Sequence, residues 1–105
     1  MQTYDIKRGH FRELEGDGLR RILRGFGEVD GVEGRMRVSY GAIRDMAVWT
    51  DGKFLYVEMD MSRDVDNQTA GETVRAYNAF LERATGFTSK QRRARLQKRA
   101  KEGKL

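Results

Sequence analysis

The sequence predicts an α+β fold, a two-layer sandwich in which an antiparallel sheet of about five strands carries helices on one face and is followed by a basic C-terminal helix. Three observations predict it. Hydrophobic residues recur with a period of two from Glu28 to Met61, the signature of half-buried strands. Two segments, around Leu19 and around Tyr77, switch to the helical period and supply the only apolar stripes able to cover such a sheet. Turn signals separate the strand-like runs closely enough to make a meander.

The elements follow in order. Tyr4 and Ile6 alternate with Thr3, Asp5 and Lys7 in a short strand that ends before Gly9 and His10. Asp17 is placed to cap a helix in which Leu19, Ile22, Leu23 and Phe26 form one stripe, stopped near Gly25 and Gly27. In the meander, Glu33-Gly34 as a two-residue turn sets Val29 opposite Val38 and Asp30 opposite Arg37. A three-residue loop at Tyr40, Gly41 and Ala42 aligns Met36 with Met46 and Arg37 with Asp45. Asp51-Gly52 as a two-residue turn sets Trp49 opposite Phe54, Val48 opposite Leu55, Ala47 opposite Tyr56 and Met46 opposite Val57. All three turns agree on one inner face.

Ala70, Val74, Tyr77, Leu81 and Ala84 keep helical spacing, with Thr69 and Glu72 as a capping box, Gly86 as the stop and Phe87 as the apolar contact of the C-cap. Thr88 with Gln91 opens a third helix. The order is β-α-β-β-β-β-α, with residues 1–87 as the sandwich domain and 88–105 as a basic C-terminal helix or tail.

Composition narrows the function classes. With no cysteine there is no disulfide framework, zinc ribbon or thiol nucleophile, which suits a cytoplasmic location. No apolar run approaches the roughly 18 residues that cross a bilayer, and the N-terminus lacks a signal-peptide core, so a soluble protein with no membrane partner is expected. The net charge of +5 comes from 21 basic and 16 acidic residues, unevenly spread. Residues 1–87 hold 13 Lys and Arg against 15 Asp and Glu, whereas residues 88–105 hold 8 against 1. The body is mildly acidic and the tail is a cation.

Tyr4-Asp5 with Lys7-Arg8-Gly9-His10-Phe11, Glu15-Gly16-Asp17-Gly18-Leu19, Ser39-Tyr40-Gly41-Ala42, Tyr77-Asn78 with Phe80-Leu81-Glu82, and Ala84-Thr85-Gly86-Phe87-Thr88 together resemble a family of short archaeal proteins of unknown function. The resemblance implies a two-layer α/β sandwich similar to half of the TATA-box-binding-protein fold, whose open sheet face serves as the binding surface. It implies no activity and no catalytic residues.

Two constellations bear on function. Lys90, Arg92, Arg93, Arg95, Lys98, Arg99, Lys101 and Lys104 crowd the tail, with only Ala94, Leu96 and Ala100 as apolar relief. Such a helix is too polar to dock by burial. It reads equally as an electrostatic footprint for phosphates or as a solvated terminus. The outer sheet face is expected to carry Arg35, Arg37, Ala47, Trp49, Phe54 and Tyr56, aromatics that stack bases beside arginines that hold a backbone. Asp30, Asp45, Glu58 and Asp60 share that face and neutralise part of it. Three readings stay open there: nucleic acid, a protein partner or second copy, and a Trp49–Phe54 pair covered by the tail.

Other motifs are weaker. Arg24-Gly25-Phe26-Gly27 mimics the start of an RNA-recognition-motif signature, but Glu28 and Gly31 stand where that signature needs aromatics. Asp60, Asp64 and Asp66 miss the calcium-loop pattern. His10 is the sole histidine, no serine has a nucleophile-elbow context and no phosphate-binding loop occurs, so neither an enzyme nor a cofactor is expected. The leading expectation is a nucleic-acid-binding module for DNA or RNA; the alternative is a protein-interaction or homodimerisation module.

Overall fold

Five strands, β1 (Gln2–Asp5), β2 (Glu28–Val32), β3 (Arg35–Tyr40), β4 (Ile43–Thr50) and β5 (Phe54–Met61), form one antiparallel sheet in the order β1-β5-β4-β3-β2. This is the arrangement of a computed structural model, which describes residues 2–32 and 35–103. Helices α1 (Gly18–Arg24) and α2 (Asn67–Thr85) and a 3-10 turn at His10–Glu13 complete the body, and α3 (Ser89–Lys101) follows. The expected α+β fold is the one found.

One core joins the layers. Met36, Val38, Met46, Val48, Leu55 and Val57 from the inner sheet face pack with Leu19, Ile22 and Leu23 of α1 and Phe80, Leu81 and Ala84 of α2. Leu23 and Leu55 are fully buried, each contributing about 1.5–3 kcal/mol by removal from water. Phe26 lies just past α1 with its ring 5.0 Å from Tyr40 and 5.8 Å from Phe80. The segment that mimicked an RNA-binding signature thus spends its aromatic on the core.

The strand registers differ from the predicted ones in an instructive way. Trp49 stands opposite Tyr56 and Val48 opposite Val57, a shift of two residues from the expected pairing. The cause is Asp51. Its carboxylate accepts the backbone N–H groups of Lys53 at 2.9 Å and Phe54 at 3.0 Å, so the turn closes one residue later, with Gly52 at φ 95°. A slip of two leaves every side chain on its predicted face.

In the β3–β4 hairpin Met36 faces Val48 and Val38 faces Met46, and the register shifts between Val38 and Tyr40 so that Tyr40 meets Ile43. Gly41 and Ala42 alone then make the turn. Arg37 consequently stands opposite Ala47 and reaches Asp45 on the diagonal. The predicted pairs of Val29 with Val38 and Asp30 with Arg37 are present, while the Glu33-Gly34 turn lies outside the described residues.

Helix ends are also redistributed. Asp17 precedes α1 but makes no side-chain cap, so the helix is held by its buried Leu19, Ile22 and Leu23. The cap of α2 is Asp66, which accepts from Thr69 N–H at 2.8 Å, in place of the predicted Thr69–Glu72 box. Its buried stripe contains Thr73 and leaves Val74 54% exposed. Thr73 is drawn inward because its hydroxyl accepts Ala42 N–H at 3.0 Å and donates to Thr69 O at 2.7 Å. Gly86 ends α2 in the left-handed region as predicted, and the Thr88–Gln91 capping box opens α3.

Candidate functional site

The outer face of the sheet carries a cross-strand row of flat groups. Trp49 on β4 and Tyr56 on β5 are direct partners whose rings stack 5.6 Å apart at 18°. The Arg35 guanidinium of β3 lies 4.5 Å from the Trp49 ring, a cation–π contact, and donates to Glu58 at 2.6 Å. Phe54 tilts against Tyr56 with centroids 6.3 Å apart. The expected Trp49–Phe54 pair is therefore replaced by Trp49–Tyr56, a direct result of the two-residue slip. All three rings are half-buried, whereas Ala47 beside them is buried.

Polar contacts set the row in place. Tyr56 OH donates to Asp51 at 2.6 Å, and this bond, with the Lys53 and Phe54 amides, holds the Asp51 carboxyl down at about 2 and pushes the Tyr56 phenol up. Arg37 pairs with Asp45, whose hydrogen bond and charge raise the guanidinium's pKa, and Arg44 pairs with Asp60 at 2.9 Å. The face largely neutralises its own charge. Any excess has to come from α3.

Helix α3 docks by its arginines. Arg92 donates to Phe87 O at 2.6 Å and to Asn78 Oδ1 of α2 at 3.1 Å, and burial pulls its pKa below the ordinary value. Arg95 donates to Asp5 at 2.9 Å and lies 4.6 Å from the Phe87 ring. Arg99 pairs with the same carboxylate and sits 5.6 Å from the Phe54 ring on the outer face. Arg92 thus touches the helical layer and Arg99 the opposite sheet face, about 10 Å further along a helix that rises about 1.5 Å per residue. The helix straddles the β1 edge.

In keeping with its polarity the helix buries no residue, and it docks through hydrogen bonds and ion pairs instead. The positions 92, 95 and 99 fall on one helical stripe, which was the only part of this legible in the sequence; the partner Asp5 that Arg95 and Arg99 share was not. Lys90, Arg93, Lys98 and Lys101 take other positions around the helix and have no hydrogen-bond or ion-pair partner among the described residues. Lys104 lies outside them. Between β1 and α3 opens a cleft of about 570 Å3, lined on the helix side by Arg92, Arg93, Leu96 and Arg99 and floored by Tyr4 and Phe87. Tyr4 shares a hydrogen bond at 2.9 Å with Tyr77 of α2, and burial, followed by that bond, raises the Tyr77 pKa.

The remaining candidates have structural partners. His10 Nε2 lies 2.6 Å from the Arg83 carbonyl, to which it donates, fastening the 3-10 turn to the end of α2. Asp66 is a helix cap and Asp60 an ion-pair partner, and among the described residues no group of three or more His, Asp or Glu is placed to hold a metal. No helix among the described residues is long and apolar enough to cross a membrane.

Comparison with known proteins places this geometry. The solution structure of a hypothetical protein from Thermoplasma acidophilum superimposes with a TM-score of 0.63 over 91% of this chain and 97% of its own, at 24% identity, a likeness of fold. Among curated proteins nothing matches. A family model described as a domain of unknown function, DUF5611, matches residues 1–98. With the match running from β1 through most of α3, the chain belongs to the DUF5611 family.

Proposed function

We propose that the protein is a single-stranded nucleic-acid-binding module whose floor is the outer sheet face and whose wall is the end of α3. One observation carries the reading: α3 crosses the β1 edge and brings Arg99 over Phe54, beside the half-buried Tyr56–Trp49 stack. Bases stack on the aromatic row, and phosphates run along Lys98, Arg99 and Lys101. Stacking is sequence-tolerant and worth about 1–3 kcal/mol per base, while the lysines contribute salt-dependent attraction. The reading is in keeping with the resemblance to half of the TATA-box-binding-protein fold, which also binds through its open face. It involves no catalytic residue and does not distinguish DNA from RNA.

Trp49 is the only tryptophan, so its fluorescence reports the site directly. Titration with oligothymidylate at low salt is expected to quench it, with duplex DNA binding more weakly. Tyr56→Ala is expected to lower affinity about tenfold or more at constant salt slope, and Lys98→Glu with Lys101→Glu to flatten the slope. No binding by the full chain at low salt overturns the proposal. A mass that rises with concentration in sedimentation, and falls on Trp49→Ser, would instead assign the same face to a second copy.

A further inference from the structure

The sheet has two edges, built differently. At β2, Gly31 departs from strand geometry at φ 105°, its N–H is taken by the Asp30 carboxylate at 2.7 Å, and its carbonyl accepts from Arg20 at 3.3 Å. Such kinks and side-chain caps are how proteins blunt an edge against further pairing. At β1, among the described residues, there is no kink or side-chain cap, and α3 stands across the edge with a cleft between them: the backbone of Gln2–Asp5 hydrogen-bonds only to β5. Alternate residues of such an edge direct their N–H and C=O groups outward, unpaired.

That open edge faces the cleft. Gln2, Thr3, Tyr4 and Asp5 all line it, although Tyr4 points to the inner face of the sheet and Thr3 and Asp5 to the outer. Consecutive residues of opposite facing line one cavity only when the cavity runs along the strand edge. The opposite wall presents Arg92, Arg93, Arg95 and Arg99 against the one carboxylate of Asp5, a net cationic wall in which the Arg93 guanidinium has no partner among the described residues. Leu96, 55% exposed, and Phe87 add apolar surface.

We propose that the cleft between β1 and α3 takes an extended acidic peptide segment of a partner protein, added to the sheet as a strand beside β1. The peptide backbone pairs with the open edge, as in other strand-addition complexes, and its carboxylates meet Arg93 and the free guanidinium nitrogens of its neighbours. The four residues of β1 set the length, about 13 Å of extended chain at about 3.3 Å per residue. A polynucleotide has no row of amides to satisfy such an edge. A second copy of this chain offers acidic β2 with Glu28 and Asp30, but that edge is the blunted one.

The test uses the full chain, labelled with nitrogen-15, and three synthetic peptides: acetyl-Val-Glu-Val-Glu-Val-amide, its lysine counterpart, and the acidic peptide N-methylated at alternate residues. Saturation with the first is expected to slow exchange of the outward β1 amides about tenfold or more and to shift the Arg93 side-chain resonances, while the other two do neither. Arg93→Glu, an exposed position with no partner to lose, is expected to weaken the acidic peptide about tenfold. Unchanged β1 amides overturn the proposal. Equal binding by the N-methylated peptide overturns it too, leaving charge attraction without strand addition. Protection of the same amides by oligothymidylate, with no response to peptide, would give the cleft to nucleic acid. Because Trp49, Phe54 and Tyr56 do not line the cleft, failure here leaves the Trp49 titration unaffected.

Discussion

Replacing Asp5 by alanine removes the one carboxylate that Arg95 and Arg99 share, and should release the C-terminal half of α3 from the β1 edge. The Asp5 side chain is 12% exposed, and its partners are 50% and 31% exposed. Charge-assisted hydrogen bonds are worth about 1.5–3 kcal/mol when sheltered, but ion pairs this open to water retain much less. The pair of contacts together is then worth about 1–2 kcal/mol, a factor of about 5–30 in the docked-to-free ratio. Alone, α3, with 13 residues, is only marginally helical, since isolated helices of about 12–15 residues or fewer are marginal in water. Its amides should therefore report undocking. Hydrogen exchange over residues 95–101 is expected to speed up by about that factor in Asp5→Ala, with β4 and β5 amides unchanged. Unaltered protection in α3 would show that Asp5 does not hold the helix. An equal loss in β4 and β5 would show that the substitution acts on the whole fold instead.

Three further outcomes follow from the same contacts. Leu55→Ala, at a fully buried position, should cost about 2–5 kcal/mol in urea unfolding, a large share of the about 5–15 kcal/mol that holds a typical domain together. Thr73→Val keeps the side-chain shape but strands the Ala42 N–H, and should cost about 1–3 kcal/mol in the same assay, whereas Val74→Thr, on the exposed side of α2, should be near neutral. Asp51, held at about 2 chiefly by the Tyr56 hydroxyl, contributes to stability fully above its ordinary value of 3.8 and loses that contribution as pH falls through about 2. A carboxyl carbon-13 titration should show this midpoint and should find it moved upward in Tyr56→Phe; an ordinary midpoint in the unsubstituted protein would remove the hydrogen bond from the account.

Much of the fold was legible because a strand's period of two survives errors of register. Asp51-Gly52 named the right hairpin, and its misplaced apex moved the pairing by two residues, so Trp49, Phe54 and Tyr56 kept the outer face and Val48, Leu55 and Val57 the inner. Gly86 and the Thr88–Gln91 box were readable because caps are local chemistry within one helical turn. The α2 stripe was less legible. Val74 looks like core by residue type, yet Thr73 is buried, because a turn more than thirty residues earlier supplies the Ala42 N–H that its hydroxyl satisfies.

The candidate site divides along the same line. From sequence alone came the sandwich, the face carrying each aromatic, and the concentration of positive charge after Gly86, since each rests on local periodicity, capping or composition. Only tertiary structure decided which aromatic stacks on which, that Arg92, Arg95 and Arg99 turn inward while Arg93 stays unpaired, and that α3 straddles β1 and walls a cleft along its open edge. Those outcomes depend on Asp5 and Phe54 meeting residues some ninety and forty-five positions away. A pairwise contact at that separation leaves no period in the chain, so only the folded molecule carries it.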